Sequence, residues 1–179
     1  LPAPCSRLRP VVPEQAKSLL WRTVPMKKPE FQIYKRRLPH WRFTGSTYFI
    51  TWRIKPGGAT LLPEERTEVL GALKYFDGSR YDLFGCVVMD DHVHAIVRPL
   101  EEFALEQVIH SWKSYTANKL QRAELRTGQV WQDEYFDRII RDEDEFKEKA
   151  WYILNNPWKR WPEIVEYEWL YFNFDLLNK

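Results

Sequence analysis

Two histidines stand two residues apart in the run Val87-Val88-Met89-Asp90-Asp91-His92-Val93-His94-Ala95-Ile96-Val97. The run is apolar and β-branched, the composition of a strand. In a strand, residues i and i+2 share a face, so His92 and His94 project side by side and Val93 turns to the other face. Two imidazoles on one rigid strand are a ready pair of metal ligands. The same triplet also fits two histidines packed in a sheet with no metal, and spacing alone does not separate the two.

A second group lies near the C-terminal end, in Phe146-Lys147-Glu148-Lys149-Ala150-Trp151-Tyr152-Ile153-Leu154-Asn155-Asn156. At about 100° per residue, Phe146, Ala150, Ile153 and Leu154 fall on one arc of a helix, and Tyr152 and Asn156 lie one turn apart on its flank. Taken alone, such a tyrosine is a core-edge residue with a wet tip, and such an amide is a helix-end hydrogen bonder. Taken with the histidines, they suggest a site. His92, His94 and a side-chain oxygen of Asn156 would give a cation three protein ligands and leave positions open for a phosphate. A neutral ligand set without thiolate or carboxylate argues against structural zinc and suits Mg²⁺ or Mn²⁺ held jointly with substrate. Such an ion acts as a Lewis acid on a phosphate, and Tyr152 would be the nucleophile. A free phenol ionises near pH ~10, so it needs a cation or base nearby. The metal would supply the charge, with Lys149 as a helper. Tyr115 and Tyr135 are rival nucleophiles, but neither has a ligand-type partner one turn away.

The elements that must position these groups are legible in outline. Tyr48–Ile54 reads as a first strand, ended by Pro56-Gly57-Gly58. Pro63-Glu64-Glu65 opens a helix, with proline at its first position and acids in its first turn. Tyr81–Met89 and His92–Arg98 read as a hairpin closed at Asp90-Asp91. A long helix is expected over Glu101–Leu125, with Leu105, Val108, Ile109 and Trp112 as its buried stripe and Lys113, Lys119, Arg122 and Arg126 on other faces. Gln129–Ile140 reads as a fourth strand. A last helix starts at Asp142 and ends near Asn156, because Pro157 disfavours helical geometry before it. Strand, helix, strand, strand, helix, strand, helix is the order of a ferredoxin-like, split βαβ sandwich of the α+β class. It predicts an antiparallel sheet with helices on one face and an extra C-terminal catalytic helix. The histidines would then lie mid-sheet on an open face, with Val93 against the helices behind.

Charge divides the chain unevenly. The protein has 179 residues and a net charge of +2, yet residues 1–40 carry nine Lys/Arg against two acids, leaving a net −5 on the rest. This arm holds seven prolines and reads as extended. A basic arm on an acidic domain is a nucleic-acid footprint or a solvated tail. We expect three regions: an arm over 1–40, the enzyme domain over 41–160 and an aromatic tail over 161–179. Two cysteines, Cys5 and Cys86, provide no disulfide framework, and no run has transmembrane or signal-peptide character. A cytoplasmic protein without a membrane partner is the expectation.

Four stretches carry a resemblance. Asp91–Val97, Ser111-Trp112-Lys113-Ser114-Tyr115, Val130–Ile140 and Tyr152-Ile153-Leu154-Asn155-Asn156-Pro157, in this order, are similar to the motifs of the REP-associated tyrosine transposases. These form a one-tyrosine transposase branch of the HUH single-strand DNA endonucleases. The resemblance runs from about Arg36 to Lys159. It departs at Asp90, where the family often has proline, and at Trp158-Lys159-Arg160-Trp161, where it often has valine and then glycine. It implies a ferredoxin-like fold and a divalent metal on His92 and His94, with Asn156 as third ligand. It further implies that Tyr152 attacks a DNA phosphate and keeps the 5′-phosphate while a 3′-hydroxyl leaves. The implied substrates are single-stranded hairpins of repeated extragenic palindromes.

Contacts to such DNA are expected from Arg36, Arg37, Lys113, Arg138 and Lys159 to phosphates, and from stacking on Trp41, with Trp158 and Trp161 as further platforms. The expected function is a metal-dependent single-strand DNA endonuclease and strand transferase, acting as a monomer or homodimer. The alternative is a non-catalytic single-stranded nucleic-acid-binding module of the same fold. A metal-dependent phosphodiesterase that uses water is a third reading.

Overall fold

The structure, a computed structural model, describes residues 31–35, 39–43, 45–122 and 126–177. Strands β1 (Phe31–Lys35) and β2 (Pro39–Phe43) form a small antiparallel hairpin. The remaining elements are β3 (Tyr48–Arg53), α1 (Pro63–Lys74), β4 (Tyr81–Val88), β5 (His92–Pro99), α2 (Leu105–Arg122), β6 (Phe136–Ile139), α3 (Glu143–Arg160), β7 (Leu170–Phe172) and α4 (Phe174–Leu177). The main sheet is antiparallel, in the order β6-β3-β5-β4-β7. Without β7, the other four stand in the order of a split βαβ sheet, with the first and third strands at the centre.

Period-two alternation builds a separate core on each face of this sheet. Tyr48, Ile50 and Trp52 of β3 and Val93, Ala95 and Val97 of β5 pack with Val69 and Leu73 of α1 and with Leu105, Val108, Ile109 and Trp112 of α2. Phe49 of β3 and Ile96 of β5 point the other way and pack with Phe146, Ala150, Ile153 and Leu154 of α3. The two helices expected from the split βαβ order thus share one face, and the extra helix covers the other. The histidine face is therefore not open: α3 lies across it, and His94 is buried.

Four features differ from the sequence expectation. The stretch from Gln129 is not one strand. Trp131 bridges Ile54, and regular pairing resumes only at β6. Between them the chain bends, and the Lys113 ammonium donates to the carbonyls of Gln132 (2.6 Å) and Asp133 (2.8 Å). The second long helix starts at Leu105 rather than Glu101. The last helix runs through Pro157 to Arg160. A mid-helix proline removes one hydrogen bond and crowds the preceding turn, but contacts beyond it hold the final turn in place. Trp158 donates to the Ile164 carbonyl (2.9 Å), Arg160 pairs with Asp90 (3.1 Å), and Trp161 stacks on Tyr167. The tail, which shows no sequence period, supplies β7 to the sheet edge. It fits there because Gly85 has no side chain: a Cβ would lie 2.5 Å from the Phe172 ring.

Arg126 is not a surface decoration either. It forks onto the buried Glu65 carboxylate (2.5 and 2.6 Å) and donates to the carbonyls of Ala59 and Thr60, tying the loop after α2 to the start of α1.

The start of α3 is held in the same manner. The Asp142 side chain caps it by accepting from the Glu145 N–H (2.8 Å), and the buried Glu145 carboxylate accepts from Arg138 of β6 and from Arg141. Burial acts to raise the Glu145 carboxyl, but the hydrogen bonds from Arg141 and Arg138 outweigh it and hold it down to about 2. The folded value lies below the unfolded one of 4.5. The clamp therefore contributes fully above that pH and is lost as pH falls towards about 2. Thermal melts of Glu145→Gln should show a lower Tm than wild type at neutral pH, and the gap should close through this window. A gap independent of pH would contradict the assignment.

Candidate active site

β5 and β3 set the site before any side chain is considered. Their register places Thr51 opposite His94 and Arg53 opposite His92. Val93 is committed to the core under α1 and α2, so both imidazoles emerge on the α3 face. Their ring centroids are 4.6 Å apart.

Both imidazoles use Nδ1 for a protein contact. His92 Nδ1 donates to the Asp91 carboxylate (2.5 Å), whose other oxygen accepts from Arg53 (3.3 Å). Partial burial acts to raise Asp91, but the His92 hydrogen bond and the charges of His92, Arg53 and Arg160 hold its carboxyl below the usual range. His94 Nδ1 meets Thr51 Oγ1 at 2.6 Å. When Nδ1 carries the proton in each ring, Nε2 presents a lone pair, the arrangement of a metal-ligating histidine whose other nitrogen is held by a neighbour.

His94 Nε2 is buried and finds no hydrogen-bond partner among the described residues. Buried polar atoms are nearly always satisfied, so this nitrogen calls for a ligand. Burial, reinforced by the nearby charges of His92, Arg53 and Lys159, pushes the His94 imidazolium down to about 2. The ring is thus neutral at physiological pH, the form that binds metals. Among the described residues, no third His, Cys, Asp or Glu completes a metal-binding group with the pair. A third protein ligand from this region would have to be of another type, and an amide oxygen fits that requirement.

Helix α3 brings the second group. The Tyr152 ring meets His94 edge-on with centroids 5.0 Å apart, and Phe49 packs under both, at 5.5 Å from His94 and 5.8 Å from Tyr152. Tyr152 keeps 39% of its surface exposed, whereas Asn156, one turn on, is 7% exposed. The two expected constellations therefore meet through His94 and Tyr152. The rival tyrosines do not join them: Tyr135 is buried in the core under α1 and α2, and Tyr115 stands exposed on α2.

The cations are arranged differently from the expectation. Lys149 pairs with Glu148 (2.8 Å), and its ammonium lies 5.7 Å from the Phe49 ring centroid. Lys159, two turns beyond Tyr152, places its ammonium 4.7 Å from the centroid of the tyrosine ring. Of the other expected DNA contacts, Lys113 is bound to two carbonyls and Arg138 to Glu145. Arg36 and Arg37 lie outside the described residues, as does the side chain of Trp41, which stands on β2. Thr51 and Phe49 were missed by sequence reading. Only the pairing of β3 with β5 shows that Thr51 faces a histidine.

Comparison with known proteins adds the family. Residues 47–156 match the IS200-like transposase family. A solved structure of a REP-associated tyrosine transposase bound to a REP hairpin superposes with a TM-score of 0.60. It is 19% identical in sequence and covers 76% of this chain and 80% of that one. A crystal structure of a candidate transposase from Deinococcus radiodurans R1 aligns with a TM-score of 0.48 and 18% identity, over 73% of this chain and 97% of that one. No curated protein matches. Among the described residues, no helix is long and apolar enough to cross a membrane. The family match takes in both histidines, Tyr152 and Asn156 and extends over more than half of the sequence; the chain belongs to the IS200-like transposases, enzymes that cleave and join DNA.

Proposed function

We propose that this transposase nicks and rejoins single-stranded hairpin DNA through a covalent bond to Tyr152, with Mg²⁺ or Mn²⁺ at His92, His94 and Asn156. The observation that carries the reading is the orphaned Nε2 of His94, buried beside the Tyr152 ring. The imidazole Nε2 atoms and the Asn156 side-chain oxygen would hold the cation, which when bound supplies Lewis-acid polarisation of the scissile phosphate.

The chain's own residues do the rest. Asp91 and Thr51 fix the two rings by their Nδ1 atoms. Phe49 forms an apolar floor that sets the tyrosine ring on edge against His94. Tyr152 Oη attacks phosphorus, the Oη–P bond forms and the P–O3′ bond breaks. The 5′-phosphate stays on the tyrosine, and the phenolic proton is delivered, directly or through solvent, to the departing 3′-oxygen. Attack by a 3′-hydroxyl on the phosphotyrosine runs the step backwards and rejoins the strand. The Lys159 ammonium beside the ring stabilises the negative charge that gathers there during attack. A repeated-palindrome hairpin as substrate is supported by the similar structure, which was solved with a REP hairpin. The basic arm over 1–40 would add phosphate contacts to a domain that is itself net acidic.

The decisive experiment is a denaturing gel of the protein with end-labelled hairpin DNA, with Mg²⁺ or Mn²⁺ and with chelator. A metal-dependent band of protein plus the 3′-side fragment is expected. Tyr152→Phe should abolish that band and slow cleavage by at least about a thousandfold, with DNA affinity little changed. Cleavage without an adduct would instead indicate attack by water, and binding without cleavage a non-catalytic module. Thr51→Val keeps the shape of the side chain but removes the partner of His94 Nδ1. It should raise the metal concentration needed for half-maximal cleavage by about 10- to 100-fold; an unchanged metal titration would refute that role. Deleting residues 1–34 should weaken hairpin binding and flatten its dependence on salt. Equal affinity at all salt concentrations would remove the arm from the interface.

A further inference from the structure

Beside Tyr152, on the solvent side of α3, lies an open cleft of about 490 Å³ lined by Glu148, Trp151, Tyr152, Asn155, Trp158 and Lys159. The residues recur every three or four positions, so they form one stripe along the helix. Neither the histidine pair nor the helix's buried face uses this stripe, apart from Tyr152 and the partly buried Trp151. Trp158 is pinned: its indole N–H donates to the Ile164 carbonyl (2.9 Å), which fixes the ring while leaving it partly exposed. A fixed, half-exposed indole is a stacking platform for an unpaired base.

The cleft's polar groups give it a chemical preference. One N–H of the Asn155 amide donates to the Trp151 carbonyl (2.8 Å), and its oxygen can accept from a base. Glu148 can only accept while ionised, and one of its oxygens remains after the contact with Lys149. Lys159, at the same end as Trp158, offers its ammonium to a phosphate. An aromatic platform, two acceptors and one cation next to an attacking hydroxyl together describe a nucleotide site.

We propose that this cleft is a subsite for one unpaired nucleotide flanking the scissile phosphate: its base stacks on Trp158, and an exocyclic amino group of that base is read by Asn155 and Glu148. The preference is for cytosine, adenine or guanine over thymine, which has no amino group. The proposal rests on Tyr152 as the nucleophile, because that is what places the scissile phosphate at the cleft's edge.

The test measures affinity and cleavage separately. Labelled DNA hairpins with a short unpaired tail of cytosines, of thymines or of abasic residues are titrated against wild type, Trp158→Ala, Trp158→Phe and Asn155→Ala, with a blunt hairpin as control. Wild type should bind the cytosine tail more tightly than the thymine tail. Trp158→Ala should lose about 5- to 150-fold for tailed hairpins, the worth of one stacked base. It should lose nothing for the blunt one, and Trp158→Phe should recover most of the loss. Asn155→Ala, a change on the helix surface, should erase the cytosine preference even if Trp158→Ala fails to fold. Wild-type affinity for tailed hairpins in Trp158→Ala, or an equal loss on the blunt control, would overturn the subsite. So would equal binding of cytosine and thymine tails by wild type. Tyr152→Phe is run alongside for the adduct. Its loss of adduct together with a failed tail experiment removes the subsite and leaves the tyrosine mechanism standing. A persistent adduct removes the mechanism, and the tail affinities then decide the subsite on their own.

Discussion

Everything at this site depends on β5 being buried on both faces. A strand in that position cannot choose which way its side chains turn. Val93, Ala95 and Val97 are held in the core under α1 and α2, and a slip of one residue would move all three to the other side. The same constraint directs His92 and His94 towards α3. The imidazoles are thus aimed by hydrophobic burial on the opposite face of the sheet. Asp91 and Thr51 need only choose the ring nitrogen that points outward.

Helix α3 is the second half of that arrangement. It lies across the histidine face through Phe146, Ala150, Ile153 and Leu154, and this brings the Tyr152 ring to the edge of His94. The same helix must stay seated at both ends. Asp142 and the Glu145 clamp hold its start to β6. Its last turn continues past Pro157 because Trp158, Arg160 and Trp161 are anchored to the tail and to the β4–β5 turn. Tyr167 adds a hydrogen bond to the Val88 carbonyl (2.7 Å) at that same turn. The tail therefore fastens the end of the helix to the loop that leads into the histidines, so Tyr152 and the histidine pair share one rigid support.

What could be read in advance follows from the range of the forces involved. The strand carrying the histidines, the arc of α3 and the one-turn spacing of Tyr152 and Asn156 along that helix follow from local periodicity, and each stands in the folded chain. The covering of the histidine face was not legible, because an arc of apolar residues says that a helix is buried but not against which side of a sheet. The continuation through Pro157 was missed for the same reason: the local rule for proline is sound, and long-range contacts override it. Thr51 has no signature of its own. Its role exists only through its register with His94.

The distribution of charge around Tyr152 completes the physical account. Residues beyond the basic arm are net acidic, so attraction of DNA to the site has to be local. Arg53, Arg160 and Lys149 all lie nearby, yet each is paired with a neighbouring acid: Asp91, Asp90 and Glu148. Lys159 makes no ion pair among the described residues, and its ammonium sits on the face of the tyrosine ring. Cations already matched by carboxylates orient side chains but add little field at a distance, because their charges cancel beyond a few ångströms. In the mechanism proposed for Tyr152, an unmatched ammonium beside its ring would act where negative charge gathers, on the incoming phosphate and on the attacking oxygen. The proposed ligand set would serve the same end: with His92, His94 and Asn156 adding no negative charge, a divalent cation held there would keep its full attraction for phosphate.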